Sequence, residues 1–353
     1  MEDFTKSKSM ELPRKVVIGH NAVLDVGEVC AELKIGKKSM VVCDSTTKEI
    51  AGNNVADALQ ALDFSVTQRV IEDASVEAVD STAGELEDGG FDFVLGVGGG
   101  RPIDVAKCSS NKVGLPFLSV PTAASHDGIV SSRGSLNSEN GKVSVAARTP
   151  IAVIMDTAIL AESPYKLLAA GCGDIISNST AVKDWILARK LKNEYFSSYA
   201  ASLSRMTASL LIENAGSIKP RLEESAWFVA KALVSSGVAM SIAGSSRPAS
   251  GSEHKFSHAL DLIAEKPGLH GEHCGVGTIM MMYLHGGDWE RIRDALLAIG
   301  APTTARTLGV TDDEIIEALI HAHEINKERY TILGDEGVTH EAAEHLASIT
   351  KVI

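Results

Sequence analysis

From residue 15 onward the chain alternates short apolar runs with longer amphipathic stretches. Residues 15–19 (KVVIG) and 39–44 (SMVVCD, ending in an acid) read as strands, with an amphipathic helical pattern over 22–34 between them. The alternation continues with a helix near 47–61, a strand near 65–71 and a helix near 75–88. FDFVLGVGGG (91–100) is an apolar strand running into glycines, and a helix opens at Arg101-Pro102. Further strands are predicted over 116–120 and 151–155. Strands alternating with helices predict an α/β region with a mainly parallel, Rossmann-like sheet. Between Arg133 and Arg148 the pattern is interrupted by GSLNSENGKVSVA, with Asn140-Gly141 as the turn of a hairpin.

After Pro164 strand signals almost vanish. Helical periodicity covers about 164–190, 194–215, 221–243, 251–264, 272–285, 288–299, 312–329 and 340–350. The boundary falls near 157–165, dividing the chain into an α/β nucleotide-type domain, 1–162, and an all-helical domain, 163–353. A cleft between two such domains is the usual place for a ligand.

The 353 residues suffice for two domains, and 44% hydrophobic with 22% charged residues is ordinary for a globular chain. Net charge is −13 and no dense Lys/Arg run occurs, so a nucleic-acid partner is not expected. No stretch reads as apolar enough over a sufficient length to span a bilayer, so no membrane insertion is expected. The N-terminal residues lack the apolar core of a signal peptide. Five scattered cysteines form no CxxC, which argues against a disulfide framework and a thiolate zinc site. A cytoplasmic setting and an even-numbered homo-oligomer are the default expectations.

The candidate chemistry concentrates in Ser252–Gly277, SEHKFSHALDLIAEKPGLHGEHCGVG, which holds four of the eleven histidines: His254, His258, His270 and His273. His254 and His258, four apart, share one helix face. Pro267-Gly268 breaks that helix, and a second can begin at His270. Imidazoles at two helix ends suit zinc or iron, and a catalytic zinc takes three protein ligands with one open position. Three further segments join this one. Gly98-Gly99-Gly100, between strand and helix, lets a ligand approach the backbone and offers helix N-terminal N–H groups to an anion. Pro102 suits the first turn of that helix, and Asp104 lies within it in range of a ribose or amide. The loop LSVPTAASHDGIVSSR (118–133) follows the next strand. Its Thr122, Ser125 and Ser131 could bond a nicotinamide or phosphate, and its Asp127 a substrate hydroxyl. Asp174, in GCGDIIS, could complete a metal site with two histidines or serve as a helix cap.

The set VGGGRPIDVAK, PTAASHDGIVS, GCGDIISN, GSEHKFSHALD and HGEHCGVGT resembles the dehydroquinate synthase and iron-containing alcohol dehydrogenase superfamily over nearly the whole chain. Within it, the match is closest to the archaeal sn-glycerol-1-phosphate dehydrogenases. The resemblance implies a dehydroquinate synthase-like fold and NADH- or NADPH-dependent reduction of dihydroxyacetone phosphate to sn-glycerol 1-phosphate, the backbone of archaeal membrane lipids. It implies one zinc per chain on Asp174, His254 and His270, with His258 and Asp127 toward substrate. Spacing alone would make His254 and His258 the ligand pair; the family pattern pairs His254 with His270 instead. His273 is expected to be behind the ligands or facing solvent. His126 has no assigned role. The segment Gly98, Gly99, Gly100, Arg101, Pro102, Ile103 and Asp104 and the loop Thr122, Ala123, Ala124, Ser125, with Ser131, fall to the cofactor. Asp44, ending the second strand, would bond an adenosine ribose and disfavour a 2′-phosphate, although the family uses both cofactors. A zinc ion would act as a Lewis acid, His258 or a water it holds would supply the proton, and Lys255, Arg133 and the Ser-rich loop are candidates for the substrate phosphate. The competing readings are a glycerol or other polyol dehydrogenase, a 3-dehydroquinate synthase and a non-catalytic nucleotide-binding regulator. The synthase is expected to carry Glu where Asp174 stands. Both NAD(H) and NADP(H) remain open.

Overall fold

The computed structural model describes residues 9–138, 141–266 and 268–353. Six strands form one parallel sheet: β1 (Lys15–Gly19), β2 (Lys38–Cys43), β3 (Ser65–Val70), β4 (Phe93–Gly98), β5 (Phe117–Pro121) and β8 (Ala152–Asp156), in the order β1-β8-β5-β4-β2-β3. β6 (Arg133–Ser138) and β7 (Gly141–Ala146) pair antiparallel as the hairpin; its expected turn residue Asn140 and the expected helix breaker Pro267 lie outside the described residues. The intervening helices are α1 (Val26–Leu33), α2 (Ser45–Thr47), α3 (Asn53–Gln60), α4 (Val76–Gly89), α5 (Gly100–Val113) and α6 (Thr157–Glu162). The single helix expected near 47–61 is therefore composite: α2 and α3 are joined by one wide turn, Lys48–Gly52.

Both faces of the sheet are covered, which is why its strands read as continuous apolar runs. Successive side chains point to opposite faces. On β2, Val41 and Cys43 pack with Val26, Cys30, Val55 and Leu59 of α1 and α3. Met40 and Val42 belong instead to a larger core, which continues through Val105 of α5 into Cys172, Ile175 and Val229 of the helical half.

That half comprises α7 (Tyr165–Lys192), α8 (Ser198–Glu213), α9 (Glu223–Ala243), α10 (Ser252–Ile263), α11 (His270–Leu284), α12 (Trp289–Ile299), α13 (Ala305–Leu308), α14 (Asp312–His321) and α15 (His340–Ile349). The short α13 has no counterpart in the sequence reading. The helix expected over 312–329 is corrected: α14 stops at His321, a 3-10 turn covers Ala322–Glu324, and Asn326 adopts a left-handed conformation (φ 47°). Tertiary hydrogen bonds from Arg329 to Ser250 and Ser246 draw the rest of the segment away from a helical path. A second correction concerns α9, which is long and apolar enough, by length and composition, to cross a membrane; 61% of its apolar window is buried inside the fold.

The winding of the sheet reverses between β2 and β4. In open α/β sheets ligands bind beyond the carboxyl ends of the strands at such a switch point. Asp44 follows β2, Gly99 follows β4 and Thr122 follows β5, so the sequence motifs emerge on that edge.

Candidate active site

Asp174 lies deep inside α7, not at its cap, and is buried. α7 and α11 meet at small residues: a Cβ on Gly173 would stand 2.3 Å from the Gly271 carbonyl oxygen, and one on Gly271 2.0 Å from that of Ala170. Only glycine permits this approach, and it brings Asp174 to the start of α11, where His270 is the first residue. Asp174 Oδ1 stands 3.7 Å from Nε2 of His254 and 3.7 Å from Nε2 of His270. Its other oxygen, Oδ2, accepts the Asp127 backbone N–H at 2.8 Å. Oδ1 is buried and has no hydrogen-bond donor. An orphaned buried carboxylate oxygen facing two imidazole nitrogens fits a divalent cation, since these separations suit donors each about 2.0–2.2 Å from one ion.

Both rings are held from behind. Fully buried Glu253 takes the Nδ1 of His254 at 3.0 Å, the N–H of Gly251 at 2.6 Å and the hydroxyl of Thr180 at 2.7 Å. Ser257 Oγ holds the Nδ1 of His270 at 3.1 Å. Carboxylate and hydroxyl partners of this kind orient metal-binding imidazoles and leave Nε2 for the ion. Cys274 adds a fourth donor: the ligand atoms of Asp174, His254, His270 and Cys274 all lie within 4.8 Å of one another.

Burial, reinforced by Asp127, raises the Asp174 pKa to about 7. Burial likewise raises that of Asp127, against the hydrogen bond from Ser236 Oγ at 2.7 Å. Burial works against charge on His254, but Cys274 and Glu253 outweigh it and lift its pKa well above the usual value. Burial, then the neighbouring His254 and His258, hold His270 well below it. A cation bound among these groups would displace the protons they hold.

A cavity of about 1360 Å³ joins this cluster to the sheet edge. Gly99, Gly100, Arg101, Pro102, Asp104, Thr122, Ala123, Ser125 and Ser131 line it, as do Asp44, Asp127, His254, His258 and His270. Ile103 and Ala124 are buried in the core behind the two loops. Gly98 needs its backbone geometry: φ is 151°, and a Cβ would meet Pro102 at 2.7 Å. Gly99 faces open space instead. Asp104 accepts the Ser135 N–H at 3.1 Å and lies 3.6 Å from the buried Lys107 ammonium, which donates to the carbonyls of Gly128 and Arg133 and so ties the 127–135 loop to α5. Asp44 caps α2 through the Thr47 N–H and lies 3.4 Å from Arg101.

The His258 ring is 6.5 Å from that of His254 and 5.6 Å from that of His270, so it borders the cluster and lines the cavity. The closer pair is His254 and His270, at 4.9 Å. His273 does not face solvent: it is fully buried, 3.3 Å from Asp261, and its Nε2 accepts the Gly268 N–H. His126 lines the cavity and accepts the Gly128 N–H on Nδ1. Sequence reasoning missed Cys274, Glu253 and Ser257. Cys274 had a signal, being four residues after His270 on one helix face; Glu253 and Ser257 had only adjacency.

Residues 17–164 match the family model for iron-containing alcohol dehydrogenases. The chain is similar to glycerol-1-phosphate dehydrogenase, NAD(P)+, of Methanosarcina acetivorans, with 57% identity covering 98% of this chain and 97% of that one. It is 56% identical to the like-named protein of Methanothermobacter thermautotrophicus, covering 98% and 99%. Its fold is similar to a probable glycerol dehydrogenase from Sinorhizobium meliloti (TM-score 0.80, 20% identity, 98% and 100% covered) and to glycerol dehydrogenase from Schizosaccharomyces pombe (TM-score 0.80, 22% identity, 99% and 92% covered). With over half its residues identical to these archaeal relatives along nearly its whole length, the chain belongs to the glycerol-1-phosphate dehydrogenase family, within the fold of the iron-containing alcohol dehydrogenases.

Proposed function

We propose that this chain reduces dihydroxyacetone phosphate to sn-glycerol 1-phosphate with NADH or NADPH, supplying the glycerol backbone of archaeal membrane lipids. One zinc ion per chain is held by Asp174, His254 and His270. The observation that carries the reading is the orphaned, buried Asp174 Oδ1 facing the Nε2 atoms of His254 and His270, two histidines that line the cavity running to the glycine loop. When bound, zinc supplies a Lewis acid for the substrate carbonyl and the nicotinamide supplies a hydride.

The chain's residues do the positioning. Glu253 and Ser257 fix the two imidazoles. Asp127, tethered by Ser236 and to Asp174 through its backbone, stands toward the substrate hydroxyl. His258 borders the cluster on the cavity side and is the proton donor, directly or through a water, since imidazole titrates near neutral pH. The open space at Gly99 and the free N–H groups at the start of α5 take the pyrophosphate. Thr122, Ser125 and Ser131 take the nicotinamide end. Asp44 and Arg101 stand together at the rim of the cleft, an acceptor for a ribose hydroxyl beside a cation for a 2′-phosphate, which suits both NAD(H) and NADP(H). A cytoplasmic homo-oligomer without nucleic-acid partners, in keeping with the net charge of −13, is part of the same proposal.

The test is NADH oxidation by the purified, zinc-loaded chain with dihydroxyacetone phosphate and dihydroxyacetone, and NAD+ reduction with glycerol, side by side. Turnover should be efficient only with the phosphorylated ketone. Preference for glycerol or dihydroxyacetone would replace the reading with a polyol dehydrogenase.

A further inference from the structure

Two cations enter the cleft from segments 74 residues apart. Lys255 follows His254 on α10, and Arg329 comes from the loop after α14. Both line the cavity, together with Ser246, Ser250 and Asn326. Their hydrogen-bond acceptors are neutral. Lys255 Nζ donates to the His323 carbonyl at 3.3 Å, and the Arg329 guanidinium donates to the Ser250 carbonyl and, at 2.7 Å, to Ser246 Oγ. Among the described residues neither is joined to a carboxylate by an ion pair.

The carboxylates whose charges reach them are Asp184 and Asp335 for Lys255, and Glu253 and Glu194 for Arg329. Each is committed elsewhere. Asp184 takes the N–H and hydroxyl of Ser252, the Ile332 N–H and His285. Asp335 pairs with Lys192, and Glu194 pairs with Arg247. Glu253 is filled by Gly251, His254 and Thr180. Like charges surround the pair as well: Arg247 and Arg133 both act on Arg329, which burial holds down to a pKa of about 10. Lys255 is buried and Arg329 half-buried at the cavity wall, and crowded cations with no carboxylate of their own favour the arrival of an anion there.

We infer that Lys255 and Arg329 form the seat of the phosphate group of the substrate, a phosphomonoester dianion bound beside His254 and His258. The inference rests on the proposed reaction only for the identity of the molecule that carries the phosphate. The guanidinium retains N–H groups beyond those given to Ser246 and Ser250, and its planar fork matches phosphate oxygens, while the ammonium adds a point charge. The sequence reading had Lys255 as a candidate but not Arg329, because it ran a helix through that residue.

Phosphate chemistry could also come from the dinucleotide, so the experiment separates the two sources. Isothermal titration calorimetry of inorganic phosphate into the zinc-loaded chain saturated with NAD+ reads the seat without turnover. Binding should weaken at least tenfold in Arg329→Gln and in Lys255→Gln, and recover in part in Arg329→Lys. The KM for dihydroxyacetone phosphate should rise tenfold or more in both Gln variants. The preference for it over dihydroxyacetone, as a ratio of kcat/KM, should fall by a similar factor, with zinc content and the KM for NADH held. Two variants on separate segments keep the test decisive if one does not fold. Wild-type phosphate binding and an unchanged ketone KM in the variants overturn the inference and leave the proposed activity standing if dihydroxyacetone phosphate is still reduced. A raised KM for NADH in place of that for the ketone overturns it too, since the cations then serve the cofactor. Phosphate binding that depends on both residues, in a chain that reduces no phosphorylated ketone, supports the seat and sinks the activity.

Discussion

The two halves of the cleft are built by opposite means. On the sheet side the floor is backbone: glycines beyond β4, the start of α5 and the small residues beyond β5, with Gly98 forced by its own geometry and Gly99 opening onto empty space. On the helical side it is side chains, with one carboxylate, two imidazoles and a thiol converging from α7, α10 and α11, each imidazole held from behind by a buried partner. The difference teaches where each half is vulnerable. Backbone sites fail when a side chain is added, and side-chain sites fail when one is removed or loosened.

The comparison breaks most sharply at the metal cluster. His254→Ala should lose the zinc and all measurable turnover, while His258→Ala should keep the zinc and lose roughly 1.5–3 kcal/mol of transition-state binding. Metal analysis of both purified variants beside steady-state kinetics checks this. A zinc-free His258→Ala with a zinc-replete His254→Ala would swap the two roles.

Glu253→Gln touches no proposed ligand atom and tests the buried support alone. Zinc affinity should fall roughly 10–100-fold, as for other partners of metal-bound imidazoles. Competition with a chromophoric chelator measures it, and wild-type affinity would show that the histidine is held by packing alone.

Gly99→Val is the gentlest prediction and the counterpart on the backbone side. The added side chain meets open space, so the fold and zinc content should persist. NAD(H) affinity should drop about tenfold, the order of a mild steric clash. Unchanged cofactor binding by calorimetry would mean that the loop is only a tight turn.

The parallel sheet was legible because its strands are buried on both faces and so appear as unbroken apolar runs, such as SMVVC and FVLGVG, between amphipathic helices. The glycine loop was legible because strand, glycines and helix are consecutive in the chain. The helix over 312–329 was misread because nothing local stops it. Its end is decided by Arg329 bonding to residues some 80 positions earlier.

The histidines mark the limit most clearly. Sequence by itself determined that His254 and His258 share a helix face, and the resemblance of motifs supplied a different pairing, His254 with His270. Only the packing of α7 against α11, through glycines that let two backbones touch, brings Asp174, His254, His270 and Cys274 within 4.8 Å of one another. Periodicity encodes which residues share a face of one element, because that is set by the backbone's own repeat. Distances between elements depend on the volumes packed between them, and those volumes come from parts of the chain that no local pattern connects.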